Sequence, residues 1–147
     1  MSERLDAFAA QVDGWLLQRG LAGDVSPDGF WLARFGSTVV MLSLFEDEGR
    51  LHLRFCSVLV SGAQTSLDLV LRLLRLNNEV LFGAFQVFDD QTLAFTHTVV
   101  AEGLSEAAFH ATLLYVARVA DDHDEELQAL AGGQRAEDVL EVARARA

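Results

Sequence analysis

One cysteine and one proline occur in the 147 residues, and lysine and isoleucine are absent altogether. Cys56 alone cannot close an intramolecular disulfide, so no disulfide framework holds the fold together. No uncharged apolar run is long enough to cross a membrane. The start of the chain, Met1-Ser2-Glu3-Arg4, lacks the basic region and apolar stretch of a secretory signal, and a cytoplasmic protein is expected. Catalytic signatures are missing too: there is no G-x-S-x-G elbow, Walker loop, G-x-G-x-x-G turn or H-E-x-x-H pair. The expectation is therefore a protein without chemistry of its own and without a cofactor.

What is present is apolar and acidic. Hydrophobic residues make up 51% and the mean hydropathy is +0.23, which excludes intrinsic disorder. A chain of this length buries roughly two-thirds of its unfolded surface in one core. Twenty-two acidic residues against eleven arginines give a net charge of −11. That field repels phosphate backbones and favours basic protein partners over direct contact with nucleic acid.

The hydrophobic periods predict an α+β fold: helix, three-strand antiparallel meander, helix, two-strand hairpin, long helix. Leu5, Phe8, Val12, Trp15 and Leu16 recur at helical spacing over residues 3–19, and Gly20 stops the helix. Residues 22–29 hold Pro27 and read as a loop. Strands are expected over 30–35, 38–45 and 51–60, the last alternating Leu51, Leu53 and Phe55 against His52, Arg54 and Cys56. Thr65 or Ser66 caps the second helix, which ends near Asn77-Asn78. A hairpin follows over 83–88 and 92–100, and Ser105 caps a third helix running to Gly132-Gly133. Residues 1–131 thus form the domain. Residues 132–147 are expected as a tail, mobile or docked on a partner chain, with a short amphipathic helix around Val139, Leu140 and Ala143.

The second helix is apolar on two sides. Leu67, Val70, Leu71 and Leu74 cluster on one, Leu69, Leu73 and Leu76 on another, and Asp68, Arg72 and Arg75 make a polar stripe that reads as a local ion-pair face. The sheet can cover one apolar side; a second chain is the natural cover for the other, each exposed leucine being worth roughly 1.5–3 kcal/mol when buried.

Few residues invite chemistry. His52 and Cys56 share a strand face but lie roughly 13 Å apart along it, too far for activation, so Cys56 reads as a packing residue. His97 reads as a structural histidine and His110 as a surface one. The run Asp121-Asp122-His123-Asp124-Glu125-Glu126 offers His123 only Glu126 as a helical co-ligand, too few for a closed metal site. It reads as a solvated helix face or as an acidic patch, Asp121, Asp122, Asp124, Glu125 and Glu126, that steers a basic segment of another protein.

The order of elements, together with Leu76-Asn77-Asn78-Glu79, Phe82-Gly83-Ala84-Phe85, an acidic turn and Gly103-Leu104-Ser105 before a long helix, resembles the type III secretion chaperone-like (CesT-like) superfamily, and its YbjN-like branch most closely. The resemblance implies a homodimer that binds extended segments of partner proteins on its sheet and helix surfaces. It implies that the second helix contributes to the dimer interface, which makes Leu69, Leu73 and Leu76 the interface candidates and gives Asn77 and Asn78 to the turn into the next strand. The function expected is a chaperone-like adaptor, with basic proteins of nucleic-acid metabolism among its clients. Two other readings stand beside it: a small-ligand binder with a cavity between sheet and long helix, and a weak hydrolase built from His97 with Ser43 or Ser57.

Overall fold

The computed structural model describes residues 3–21, 24–25, 30–132 and 134–135. The order is α1 (Glu3–Gln18), β1 (Asp24–Val25), β2 (Trp31–Phe35), β3 (Thr38–Asp47), β4 (Arg50–Ser61), α2 (Leu67–Glu79), β5 (Ala84–Val87), β6 (Leu93–Val100), α3 (Glu106–Ala131) and β7 (Gln134–Arg135). The expected α+β architecture is the observed one. Two short strands are additional. β1 lies within the stretch read as a loop and pairs with β2; β7 lies within the stretch read as a tail and pairs antiparallel with the end of β4. The helix expected around Val139, Leu140 and Ala143 falls outside the described residues.

All pairings are antiparallel, in the spatial order β1-β2-β3-β4-β6-β5. β4 is central. Leu51, Leu53, Phe55 and Leu59 are buried on one side of it, as the alternation requires, while His52, Cys56 and Val58 are half-buried and Arg54 exposed on the other. Register carries the buried side across the sheet: Leu42 opposite Phe55, Leu44 opposite Leu53, Trp31 opposite Leu42 and Phe85 opposite Phe95.

α3 lies across this buried side against β3, β4 and β6. Phe109 inserts at its centre, 5.8 Å from the Phe55 ring and 5.0 Å from Trp15 of α1. Phe8, Val12 and Leu16 turn the same face of α1 inward, and the Trp31 indole N–H donates to Asp13 at 2.6 Å, pinning α1 to β2. The helix ends where Gly20 adopts φ +67° and the Leu21 N–H reaches back to the Leu16 carbonyl. Phe55, Phe95 and Phe109 are fully buried and Phe85 nearly so, between the sheet and the long helix.

Candidate functional site

Ser66 sets the phase of α2. Its hydroxyl accepts from the Leu69 N–H at 3.2 Å, and the helix then presents Leu69, Leu73 and Leu76 at i, i+4 and i+7 to the core, against β5 and α3. All three are buried. The interface expected at Leu69, Leu73 and Leu76 is therefore corrected: these side chains are committed to the chain's own core and leave almost no surface to offer a partner. The opposite apolar side is the outward one. Leu67 is 73% exposed and Leu74 61%, with Leu71 and Val70 at their side.

Arg72 marks the border between the two sides, and it too departs from expectation. It does not pair with Asp68 one turn back. Its guanidinium makes a two-point contact with Glu126 of α3, Nε to Oε2 at 2.5 Å and Nη2 to Oε1 at 3.0 Å. That bond holds the Glu126 carboxyl below the ordinary glutamate value. The acidic run on α3 is accordingly divided. Glu126 is occupied by Arg72, and Asp121 accepts from the Thr38 hydroxyl at 3.2 Å, while Asp122 and Glu125 are exposed and Asp124 half-buried. Among the described residues no group of three or more histidine, cysteine or acidic side chains is placed to hold a metal.

The turn after α2 is built as its sequence implies. Asn77 behaves like a strand edge towards Phe85: its amide oxygen accepts from the Phe85 N–H at 2.6 Å, and its amide nitrogen donates to the Phe85 carbonyl at 3.2 Å. Gly83, at φ +80°, sits where a Cβ would lie 2.8 Å from the Thr96 carbonyl oxygen and from the Phe95 ring. Only glycine fits both the conformation and the space.

The other residues read for chemistry are dispersed. Burial pushes the Cys56 thiol up to about 11, away from the thiolate that nucleophilic work requires. His52 stacks on Phe45 at 5.4 Å, and Arg54 lies over the same ring at 4.8 Å. His97 packs against Phe82 at 4.5 Å, and burial lowers its pKa. Ser57 donates its hydroxyl to the Val39 carbonyl, and Ser43 lies opposite Arg54 on the other side of the sheet from His97, so neither serine pairs with it. His110, read as a surface residue, is buried in α3. Its Nε2 has no hydrogen-bond partner among the described residues, and the Glu106 carboxylate lies 3.7 Å from it. Burial, with Arg19 nearby, lowers its pKa. The spacing of His110 with Leu113 and Ala117 could have revealed its inward position.

Sequence reading also missed a groove on the outer side of α3. Leu81 donates its N–H to the Tyr115 hydroxyl at 2.7 Å, and the Phe82 ring packs on Tyr115 at 4.3 Å. Ala108, Ala111 and Leu114 complete an open groove of about 680 Å³, with Arg118 at one end.

The family model for T3SS (YopN, CesT) and YbjN peptide-binding chaperone 1 matches residues 6–139. The chain belongs to this family of peptide-binding chaperones. Three solved structures share its fold. A chain of the ExsC–ExsE complex superposes with a TM-score of 0.65 at 17% identity, covering 86% of this chain and 97% of that one. A chain of the ExoU–SpcU complex from the type III secretion system of Pseudomonas aeruginosa gives 0.58 at 18%, covering 82% and 98%. One from the Yersinia pestis chaperone SycH in complex with a fragment of YscM2 gives 0.57 at 13%, covering 78% and 98%. No curated protein sequence matches the chain. The α2-to-β5 turn, with Asn77 and Gly83, lies within the matched region.

Proposed function

We propose that this member of the peptide-binding chaperone family is a cytoplasmic, homodimeric adaptor that holds segments of partner proteins and carries out no chemistry of its own. The observation that carries the proposal is the outward side of α2. A helix whose inner leucines already complete the core still presents Leu67, Val70, Leu71 and Leu74 to water. An isologous contact, α2 against its symmetry mate, covers this side on both copies at once. The neighbouring complexes support the binding of protein partners, since each pairs a chaperone-fold chain with another protein.

The client chemistry we propose is basic. Asp122 and Glu125 are exposed on α3, and the whole chain carries −11, so a segment rich in arginine or lysine is steered towards this end of the helix. Basic proteins of nucleic-acid metabolism are clients of this kind.

Light scattering tests the dimer: the wild-type mass is that of two chains, and Leu74→Glu gives one chain with unchanged far-UV dichroism. A two-chain mass in the variant overturns the α2 interface. A tagged pull-down from cytoplasm, washed at about 0.05 M and about 0.5 M salt, tests the client chemistry, because screening removes steered contacts first. Basic partners lost at the higher salt, and lost in Asp122→Asn/Glu125→Gln, are the expected outcome. Partners retained in that variant overturn the acidic end as the client site.

A further inference from the structure

The groove between α3 and the turn after α2 differs in chemistry from the rest of the acidic surface. Its walls are the aromatic pair Phe82 and Tyr115 and the half-exposed Leu114, and Ala108 and Ala111 form a floor of small side chains one helical turn apart. Leu81, 82% exposed, stands beside it, held there by the bond from its own N–H to the Tyr115 hydroxyl. Arg118 is the single charged side chain in the lining, its guanidinium 5.5 Å from the Tyr115 ring. None of the described carboxylates forms an ion pair with it. Asp121, one turn further on, accepts a hydrogen bond from Thr38 and lines, together with Leu114 and Arg118, an adjoining hollow beside β3.

We infer that this groove binds a partner segment of apolar and acidic character, its apolar side chains seated between Phe82, Tyr115 and Leu114 and its carboxylate on Arg118. Small floor residues let a partner backbone approach α3 closely, while Tyr and Arg together supply the rigid apolar contact and charge-assisted bonding that dominate protein interfaces. The groove is too open to enclose a small ligand, which suits a polypeptide. In a chain of net charge −11, an arginine that ends an apolar groove and forms no ion pair with the described carboxylates selects a carboxylate locally against the long-range field. The inference rests on the peptide-binding reading above but uses a different surface and the opposite client charge. One client with basic and acidic-apolar stretches can therefore engage both ends of α3.

Fluorescence anisotropy with three labelled twelve-residue peptides tests the inference on the full chain: leucine and phenylalanine interspersed with glutamate, with serine, or with lysine. The glutamate peptide is expected to bind tightest, to weaken roughly tenfold or more in Arg118→Glu, and to be lost in Ala111→Trp, which fills the floor. Both positions are exposed, so dichroism of the variants stays that of the wild type. Equal or tighter binding of the serine peptide, or glutamate-peptide binding that survives Ala111→Trp, overturns the inference. So does a change in light-scattering mass on Leu114→Asp, which assigns the groove to a second copy. Capture of the lysine peptide, lost in Asp122→Asn/Glu125→Gln, with no binding of the glutamate peptide defeats the groove and leaves the proposed function standing. Failure of every peptide in a chain of single-chain mass defeats both.

Discussion

The two apolar sides of α2 carry three leucines each and meet opposite fates. Leu69, Leu73 and Leu76 are buried against β5 and α3, whereas Leu67, Leu71 and Leu74 face outward on the same thirteen-residue helix. Helical periodicity identifies that two sides exist, because residues three and four apart share a side whatever the helix packs on. It cannot say which side turns in. That choice belongs to the Ser66 cap, the Asn77 clamp on Phe85 and the reach of Arg72 to Glu126, and the last two depend on residues of other elements.

The sharpest way to break the comparison is to cut the same side chain from each side. Leu69→Ala removes a fully buried group and is expected to cost about 2–5 kcal/mol in urea unfolding. Leu74→Ala, from a position 61% exposed, is expected to cost the isolated chain under about 0.5 kcal/mol. Equal losses at both positions would mean that α2 is covered on both sides within one chain. In a dimer the second value grows with protein concentration while the first does not, so unfolding at two concentrations separates core from interface.

Next in size is the clamp that fixes the end of α2. Asn77→Ala removes both contacts to Phe85 and leaves a strand-edge N–H without its partner, a loss expected at about 1–3 kcal/mol. Asn78→Ala, at the exposed neighbouring position, is expected within about 0.5 kcal/mol of wild type. Similar losses from the two would deny Asn77 its special role.

How much of this was legible follows from what each feature depends on. The order and approximate ends of the three helices and five main strands rest on local periodicity and capping, so they could be read directly. β1 and β7 are two residues each and exist only by pairing with β2 and β4, which no local pattern encodes. The acidic run was visible as a run, but its division was not: Glu126 is bound by a residue 54 positions away and Asp121 by one 83 away. The same holds for the groove, where Phe82, Tyr115 and Arg118 meet only once α2 and α3 are packed together. His110 is different. Its spacing with Leu113 and Ala117 is that of an inward position, against the usual surface placement of a polar residue type.

His110 links the core to pH. A buried imidazole whose Nε2 lacks a hydrogen-bond partner among the described residues favours its neutral form, so its native pKa lies below the ordinary 6.5, as does that of His97. The unfolded chain then binds more protons than the folded one in that interval, and stability falls as pH drops through 6.5 towards the lower native values. Thermal unfolding between pH 7.5 and pH 5 should show a declining Tm, with a shallower decline in His110→Leu. An unchanged slope in the variant would place the titration elsewhere.

The smallest effect is expected at the border of the two α2 sides. Arg72 holds the Glu126 carboxyl low by donating to it, so this group stabilises the fold above the ordinary glutamate value of 4.5 and loses that contribution as pH falls through its lower native value. The pair is substantially solvated, and salt screens such contacts. A double-mutant cycle of Arg72→Gln and Glu126→Gln at pH 7 should therefore give a small favourable coupling that fades at about 0.5 M salt and is lost as pH falls through the lowered Glu126 value. Coupling that persists in high salt would make the contact a structural clamp on the phase of α2. Coupling absent under all conditions would leave that phase to Ser66 and Asn77 alone, and would free Glu126 to join Asp122 and Glu125 in receiving a basic client.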